Sequence, residues 1–178
     1  MKLKPLPLSK VYGLLEPGPV VMLTTAWKGK MNVMTLSWHT MMDFEPPLIG
    51  CVVGAGDYSF EALKESGECV IAIPTLEMAR IAVKVGNCSG RDTDKFSKFG
   101  ILTLPAFNVR APLLAGCFAN IECKVVDQGW AEKYNFFVLK GLQAWVNTAY
   151  RKPQTLHHKG NGLFMASGKT FKLPSRMR

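Results

Sequence analysis

No stretch of the chain approaches the ~20 consecutive apolar residues that a helix needs to cross a bilayer, and no apolar core of signal-peptide length follows the lysines of the opening MKLKPLPLSK. The expectation is a cytoplasmic protein with no membrane partner. Cysteine offers no C-x-x-C pair: Cys51, Cys69, Cys88, Cys117 and Cys123 are scattered, and their odd number fits reduced thiols better than a disulfide framework. Histidine is limited to His39, His157 and His158, without ligand spacing, so no metal site is expected. The spacing builds no Ser-His-Asp or Cys-His nucleophile either. Glycines gather in Gly50-Cys51-Val52-Val53-Gly54-Ala55-Gly56, yet a G-x-G-x-x-G opening a helix is missing. That removes the support for a dinucleotide fingerprint and disfavours a parallel Rossmann sheet.

Acidic residues are missing from the carboxyl-terminal segment. The formal net charge is +9, but from about residue 151 Arg151, Lys152, Lys159, Lys169, Lys172, Arg176 and Arg178 have no acidic counterpart, leaving 15 cationic against 13 anionic side chains before them. The body is therefore nearly balanced. The basic segment reads as a solvated tail rather than a nucleic-acid contact, because no DNA- or RNA-binding signature accompanies it. Its field would also favour a bound dianion or a nicotinamide dinucleotide. A chain of 178 residues, 48% hydrophobic and 20% charged, suits one globular domain over 1–178.

What the chain does contain is a succession of short strand patterns. PVVMLTTAW (19–27) is rich in β-branched residues, and Lys28-Gly29-Lys30 turns it into a strand over 31–38, giving a hairpin. In that second strand Asn32, Met34, Leu36 and Trp38 share one face, and Val33, Thr35, Ser37 and His39 the other. A connection ending in Glu45, Pro46 and Pro47 leads to a strand over 48–53. Ser59 is placed to cap a helix running through Glu65 and ended by Ser66-Gly67. ECVIAIP (68–74) is a buried-looking strand, and 76–85 has near-helical apolar spacing.

A strand over 115–127 puts Cys117, Ala119, Ile121, Cys123 and Val125 on a core face and Asn120, Glu122 and Lys124 on a solvent face. One over 134–146 is apolar on both faces, with Gly141 a bulge, and so predicts cover by a second subunit. Residues 163–166 form a last short strand. Strands outnumber helices and are mostly hairpin-connected, so the fold class is mainly β: an antiparallel barrel with a few short helices.

Two places carry candidate chemistry. The 31–38 strand combines an amide, thioether and aromatic surface, and hydroxyls, which suits a flat, partly polar ring with a phosphorylated tail and equally an ordinary sheet edge. The loop Ser89-Gly90-Arg91, with Lys95 beyond it, joins a hydroxyl, a flexible backbone and two cations before a helix. It reads either as a phosphate grip or as a solvated turn balanced by Asp92 and Asp94.

NVMTLSW, EPPLIGCVV, Tyr58-Ser59, ECVIAIP, CSGRDTDKF and GNGLFMASGKTFKL, in this order and spacing, resemble the flavin reductase-like family of flavoredoxin type. The resemblance implies an FMN-binding split β-barrel of Greek-key type. It places the FMN phosphate on Ser89, Lys95 and Arg91, with Gly90 and Phe96 alongside. The flavin ring falls to Asn32, Val33, Met34, Thr35, Ser37, Trp38, Val52, Val53 and Ser59, and His39 could border it. Ala72 departs from the pattern, since the family usually has asparagine there. The implied activity is an NAD(P)H-dependent flavin reductase or a flavoredoxin-like electron carrier, working as a homodimer with flavin near the interface. The alternatives are a flavin-binding electron carrier without direct nicotinamide use, or a basic module for an acidic partner.

Overall fold

The structure, a computed structural model, describes residues 3–15 and 18–175. In chain order the strands are β1 (Leu3–Leu6), β2 (Val21–Trp27), β3 (Lys30–Leu36), β4 (His39–Phe44), β5 (Pro47–Val52), β6 (Glu68–Ile73), β7 (Thr103–Leu104), β8 (Leu113–Leu114), β9 (Ala119–Asp127), β10 (Phe136–Asn147), β11 (Leu156–His158) and β12 (Phe164–Ala166). The helices are α1 (Tyr12–Leu15), α2 (Tyr58–Ser66), α3 (Ala79–Gly86), α4 (Lys95–Phe99) and α5 (Ala131–Tyr134). Among the described residues no helix is long and apolar enough to cross a membrane.

The main sheet is antiparallel in the order β3-β2-β6-β9-β10-β5-β4, with β1 also on β10. Its two end strands, β3 and β4, follow each other in the chain through the corner Ser37-Trp38, but the order does not close. The barrel is therefore open along one seam. Lys28 (φ 49°) and Gly29 (φ 74°) supply the two left-handed residues that a two-residue hairpin requires. Trp27 pairs directly with Lys30, so the turn is one residue shorter than the sequence suggests. The β3 register sets Thr25, Leu23 and Val21 opposite Asn32, Met34 and Leu36.

The barrel interior is filled by inward residues of six strands, among them Leu23, Leu36, Ile49, Ile71, Ile121 and Phe137, and is plugged by Phe60 and Leu63 of α2. Phe60 meets Phe137 edge to face, with ring centroids 5.4 Å apart. Each wholly buried leucine or isoleucine contributes about 1.5–3 kcal/mol from leaving water. Gly67, in the left-handed conformation (φ 67°), stops α2 and lets β6 start immediately. On the outer side of β2, β3 and β6, a second core joins Met22, Val33 and Ala72 to Ala82 and Val85 of α3.

Several expectations are corrected. The connection between the first and second candidate strands is itself a strand, β4, paired with β5 from His39↔Cys51 to Phe44↔Pro47. Trp38 therefore leaves the Asn32 face and stands at the corner, 71% exposed. Ser59 does not cap α2: Asp57 is the N-cap residue, and Ser59 lies inside the helix. The 76–85 helix is a 3₁₀ turn over Leu76–Met78 followed by α3. β9 begins at Ala119, and Cys117 packs in the α3-side core while Cys123 lies in the barrel.

Asn120 and Glu122 are fully buried rather than facing solvent, because residues 103–114 fold over that side of β9. Asn120 bonds both backbone groups of Leu114 through Oδ1 (2.8 Å) and Nδ2 (3.2 Å). The expected bulge is present, as a register shift between Gly141 and Gln143. β1, β7, β8, β11 and α5 are elements that the sequence pattern did not reveal.

Candidate functional site

Three segments distant in sequence meet beside β3. Asn32 and Met34 project from that strand into a cavity of about 280 Å³, walled by Gly56–Ser59 at the start of α2 and by Gly86–Arg91 at and beyond the end of α3, with Lys95 at the start of α4. Asn32 and Met34 share this side because they are two residues apart on a strand. The first turn of α2 adds the positive end of a nine-residue helix to the cavity.

The polar groups are mutually ordered. Asn32 Nδ2 donates to Ser59 Oγ at 2.8 Å. Arg91 N–H donates to Ser89 Oγ at 3.1 Å, and Arg91 Nη1 reaches the carbonyl of Gly56 at 2.8 Å. A Cβ at Gly90 would overlap the Asn32 amide and come within 2.9 Å of Tyr58 Cδ1, so only glycine lets the loop lie this close. Lys95 is 4% exposed, and its Nζ donates to the carbonyls of Val33 (2.9 Å) and Val85 (3.0 Å). An ammonium has three protons, and two of them bind β3 and α3. Burial lowers the Lys95 pKa, opposed by the nearby Cys88 and Asp57. The hydroxyl and amide of Ser97 hold Asp94 below the ordinary carboxylate range. Asp94 thereby caps α4, accepting from Phe96 N and Ser97 N.

The cavity thus collects Asn32, Met34, Ser59, Ser89, Gly90, Arg91 and Lys95 of the expected set. Val33 and Thr35 face the opposite way: Val33 packs against the α3-side core, and Thr35 Oγ1 donates to the Ala82 carbonyl at 2.6 Å. Phe96 also packs on that side. Ser37 and Trp38 lie past the end of β3, and Val52 N–H donates to the Trp38 carbonyl at 3.0 Å. Val53 is wholly buried, its N–H on the Asn135 carbonyl at 2.9 Å. His39 Nε2 pairs with the Pro19 carbonyl at 2.7 Å, and burial lowers its pKa. Its side chain lines a separate cavity with Leu15 and Gly18.

The sequence reading missed Gly56, Asp57, Tyr58, Gly86, Asn87 and Cys88 as lining residues. Only their nearness to Ser59 and Ser89 in the chain hinted at them. Burial raises the thiol pKa of Cys51 and Cys117, which leaves both protonated and inert. Among the described residues no three His, Cys, Asp or Glu side chains converge to hold a metal ion.

An open antiparallel barrel flanked by short helices, with a polar cavity beside one hairpin, defines a split-barrel protein. The flavin reductase like domain model matches residues 14–164, and the chain belongs to that family. It superposes with a TM-score of 0.91 on the FMN-binding domain of a flavin reductases-like enzyme from Shewanella baltica, at 27% identity, covering 97% of this chain and 98% of that one. The fold is also that of flavoredoxin from Desulfovibrio vulgaris (TM-score 0.79, 21% identity, 88% and 90% covered). The uncharacterized protein YddH of Escherichia coli is 32% identical over 181 residues, 93% of this chain and 95% of that protein.

Proposed function

We propose that this chain binds FMN and serves in NAD(P)H-dependent flavin reduction or flavoredoxin-like electron transfer. The observation that carries the reading is the cavity beside β3, where Asn32, Ser59, Ser89, Arg91 and Lys95 surround a space of about 280 Å³. Its donors fit a phosphate monoester. Among the described residues the third Lys95 proton and the Ser89 hydroxyl proton have no partner within the chain, and the missing side chain at Gly90 lets the loop close against Asn32 and Tyr58. Ser89, Gly90, Arg91 and Lys95 would hold the phosphate, while Asn32, Met34 and Ser59 would meet the remainder of the cofactor. Thr35 and Phe96 would act only through the packing behind them. Bound flavin supplies hydride and electron transfer, and the protein's own share is binding and orientation.

The test is to purify the protein, titrate FMN by equilibrium dialysis, and add NADH or NADPH to the loaded form. Uptake of about one FMN per chain with bleaching of the flavin absorbance is the expected result. Uptake without bleaching by either nucleotide leaves an electron carrier without direct nicotinamide use. No uptake by folded protein sinks the reading and promotes the basic-module alternative.

We further propose a homodimer. The outer faces of β4 and β10 expose Met42 and half-expose Phe136 and Val138, which with Trp130 (61% exposed) and Asp127 line a second cavity of about 370 Å³. A second copy would cover this apolar face. Light scattering should give twice the 19.7 kDa chain mass, with an interface well above the ~1,000 Å² of a biological contact. A monomer across a broad dilution range would contradict it.

A further inference from the structure

Lys30 does not line the cavity, yet it is bonded to the loop that does. Its ammonium donates to the carbonyls of Gly90 (2.6 Å) and Arg91 (3.3 Å) and stands 4.9 Å from the centre of the Tyr58 ring. The Gly90 carbonyl and the Arg91 N–H belong to one peptide plane and, in the trans form, point in opposite directions. The N–H end of that plane donates to Ser89 Oγ. One peptide group thus carries a cation on its acceptor end and a hydroxyl oxygen on its donor end.

A charge on the carbonyl polarises the peptide and strengthens its N–H as a donor, as hydrogen bonds in chains reinforce one another. Because the Ser89 oxygen accepts this bond, its own proton is directed elsewhere, and a hydroxyl whose oxygen accepts a strong bond is a better donor. The close approach of Gly90 to Asn32 and Tyr58 limits the ways the loop can turn. The Arg91 bond to Gly56 ties it from the other side.

We propose that Lys30 is a positioning residue for anion binding: by fixing and polarising the Gly90–Arg91 peptide it presents the Ser89 hydroxyl to a phosphate monoester in the cavity. The proposal rests on the FMN reading only for the identity of that monoester. Its chemistry requires no contact between Lys30 and the ligand.

The experiment uses the full chain with Lys30→Met and Lys30→Arg, measuring FMN, riboflavin and inorganic phosphate affinities, the last by NMR shifts of the Ser89–Arg91 amides. Lys30→Met should weaken FMN and phosphate about tenfold, the effect of one charge-assisted hydrogen bond. Riboflavin should be unchanged and the Arg91 amide should exchange faster. Lys30→Arg, able to donate to two carbonyls, should recover most of the loss. The proposal is overturned if Lys30→Met keeps the parent's FMN and phosphate affinities, or loses riboflavin equally. If the parent binds phosphate but no flavin, the FMN reading falls, and the Lys30 assignment stands on the phosphate shifts. If the parent binds neither, both fall.

Discussion

Lys95→Met is expected to lower stability by about 2–4 kcal/mol and FMN affinity by roughly 10- to 150-fold, with riboflavin affected much less. The stability loss follows from what the ammonium holds. Lys95 Nζ joins the Val33 carbonyl on β3 to the Val85 carbonyl in the last turn of α3, where helical carbonyls have no partner of their own. Methionine fills the space but leaves both acceptors buried, at about 1–3 kcal/mol each. Relief from burying a cation offsets part of that. For a chain of this size, melting should fall by about 4–16 °C.

The affinity loss is separable, because riboflavin lacks the phosphate and therefore reports on the folded site without it. The direction with pH also follows. Anion binding needs the charged form of Lys95, whose pKa in the folded protein lies below the ordinary lysine value. Affinity is thus complete below that pKa and lost as pH rises through it, earlier than for an exposed lysine, and FMN binding takes up protons in that window. A variant that melts with the parent would remove the structural role. Equal loss of FMN and riboflavin would remove the phosphate role.

Glu122→Gln should cost about 3 kcal/mol and loosen residues 105–112 while leaving FMN affinity near the parent's. The Glu122 carboxylate is fully buried and accepts from Phe107 N (3.1 Å to each oxygen), Asn108 N (2.5 Å) and Trp145 Nε1 (2.7 Å). Bonds to a charged group contribute about 1.5–3 kcal/mol each, and glutamine turns an NH₂ towards donors that need an acceptor. Calorimetry and limited proteolysis of the 105–112 segment check this together. Unfolding within about 0.5 kcal/mol of the parent, as for a surface change, would show that the segment does not depend on the carboxylate.

The same glutamate shows where reading from sequence stops. The alternation of Ala119, Ile121 and Cys123 with Asn120, Glu122 and Lys124 correctly marks the inward face of β9, because apolar periodicity responds to one buried side. It cannot tell open solvent from a covering segment. Asn120 and Glu122 are buried by chain whose backbone they satisfy, and polarity alone assigned them to water. β4 escaped for a related reason: His39–Phe44 is an end strand with mostly exposed residues, so its alternation had little apolar contrast.

By itself the sequence determined the β2–β3 hairpin, the end of α2 at Gly67, the strands β5 and β6, the bulge at Gly141 and, through the ordered motifs, the family. These depend on local backbone preference, period-two patterning and spacing along the chain, all of which a linear string contains. It also placed Asn32, Met34, Ser59 and Ser89–Arg91 in one candidate set. Only the tertiary structure decided that Thr35 turns to α3, that Trp38 stands at an exposed corner, that Lys95 is spent largely on two carbonyls, and that Lys30 grips a peptide 60 residues away. A hydrogen bond between distant segments requires only that folding bring a donor to an acceptor within about 3 Å, and nothing in either segment's local pattern encodes that meeting.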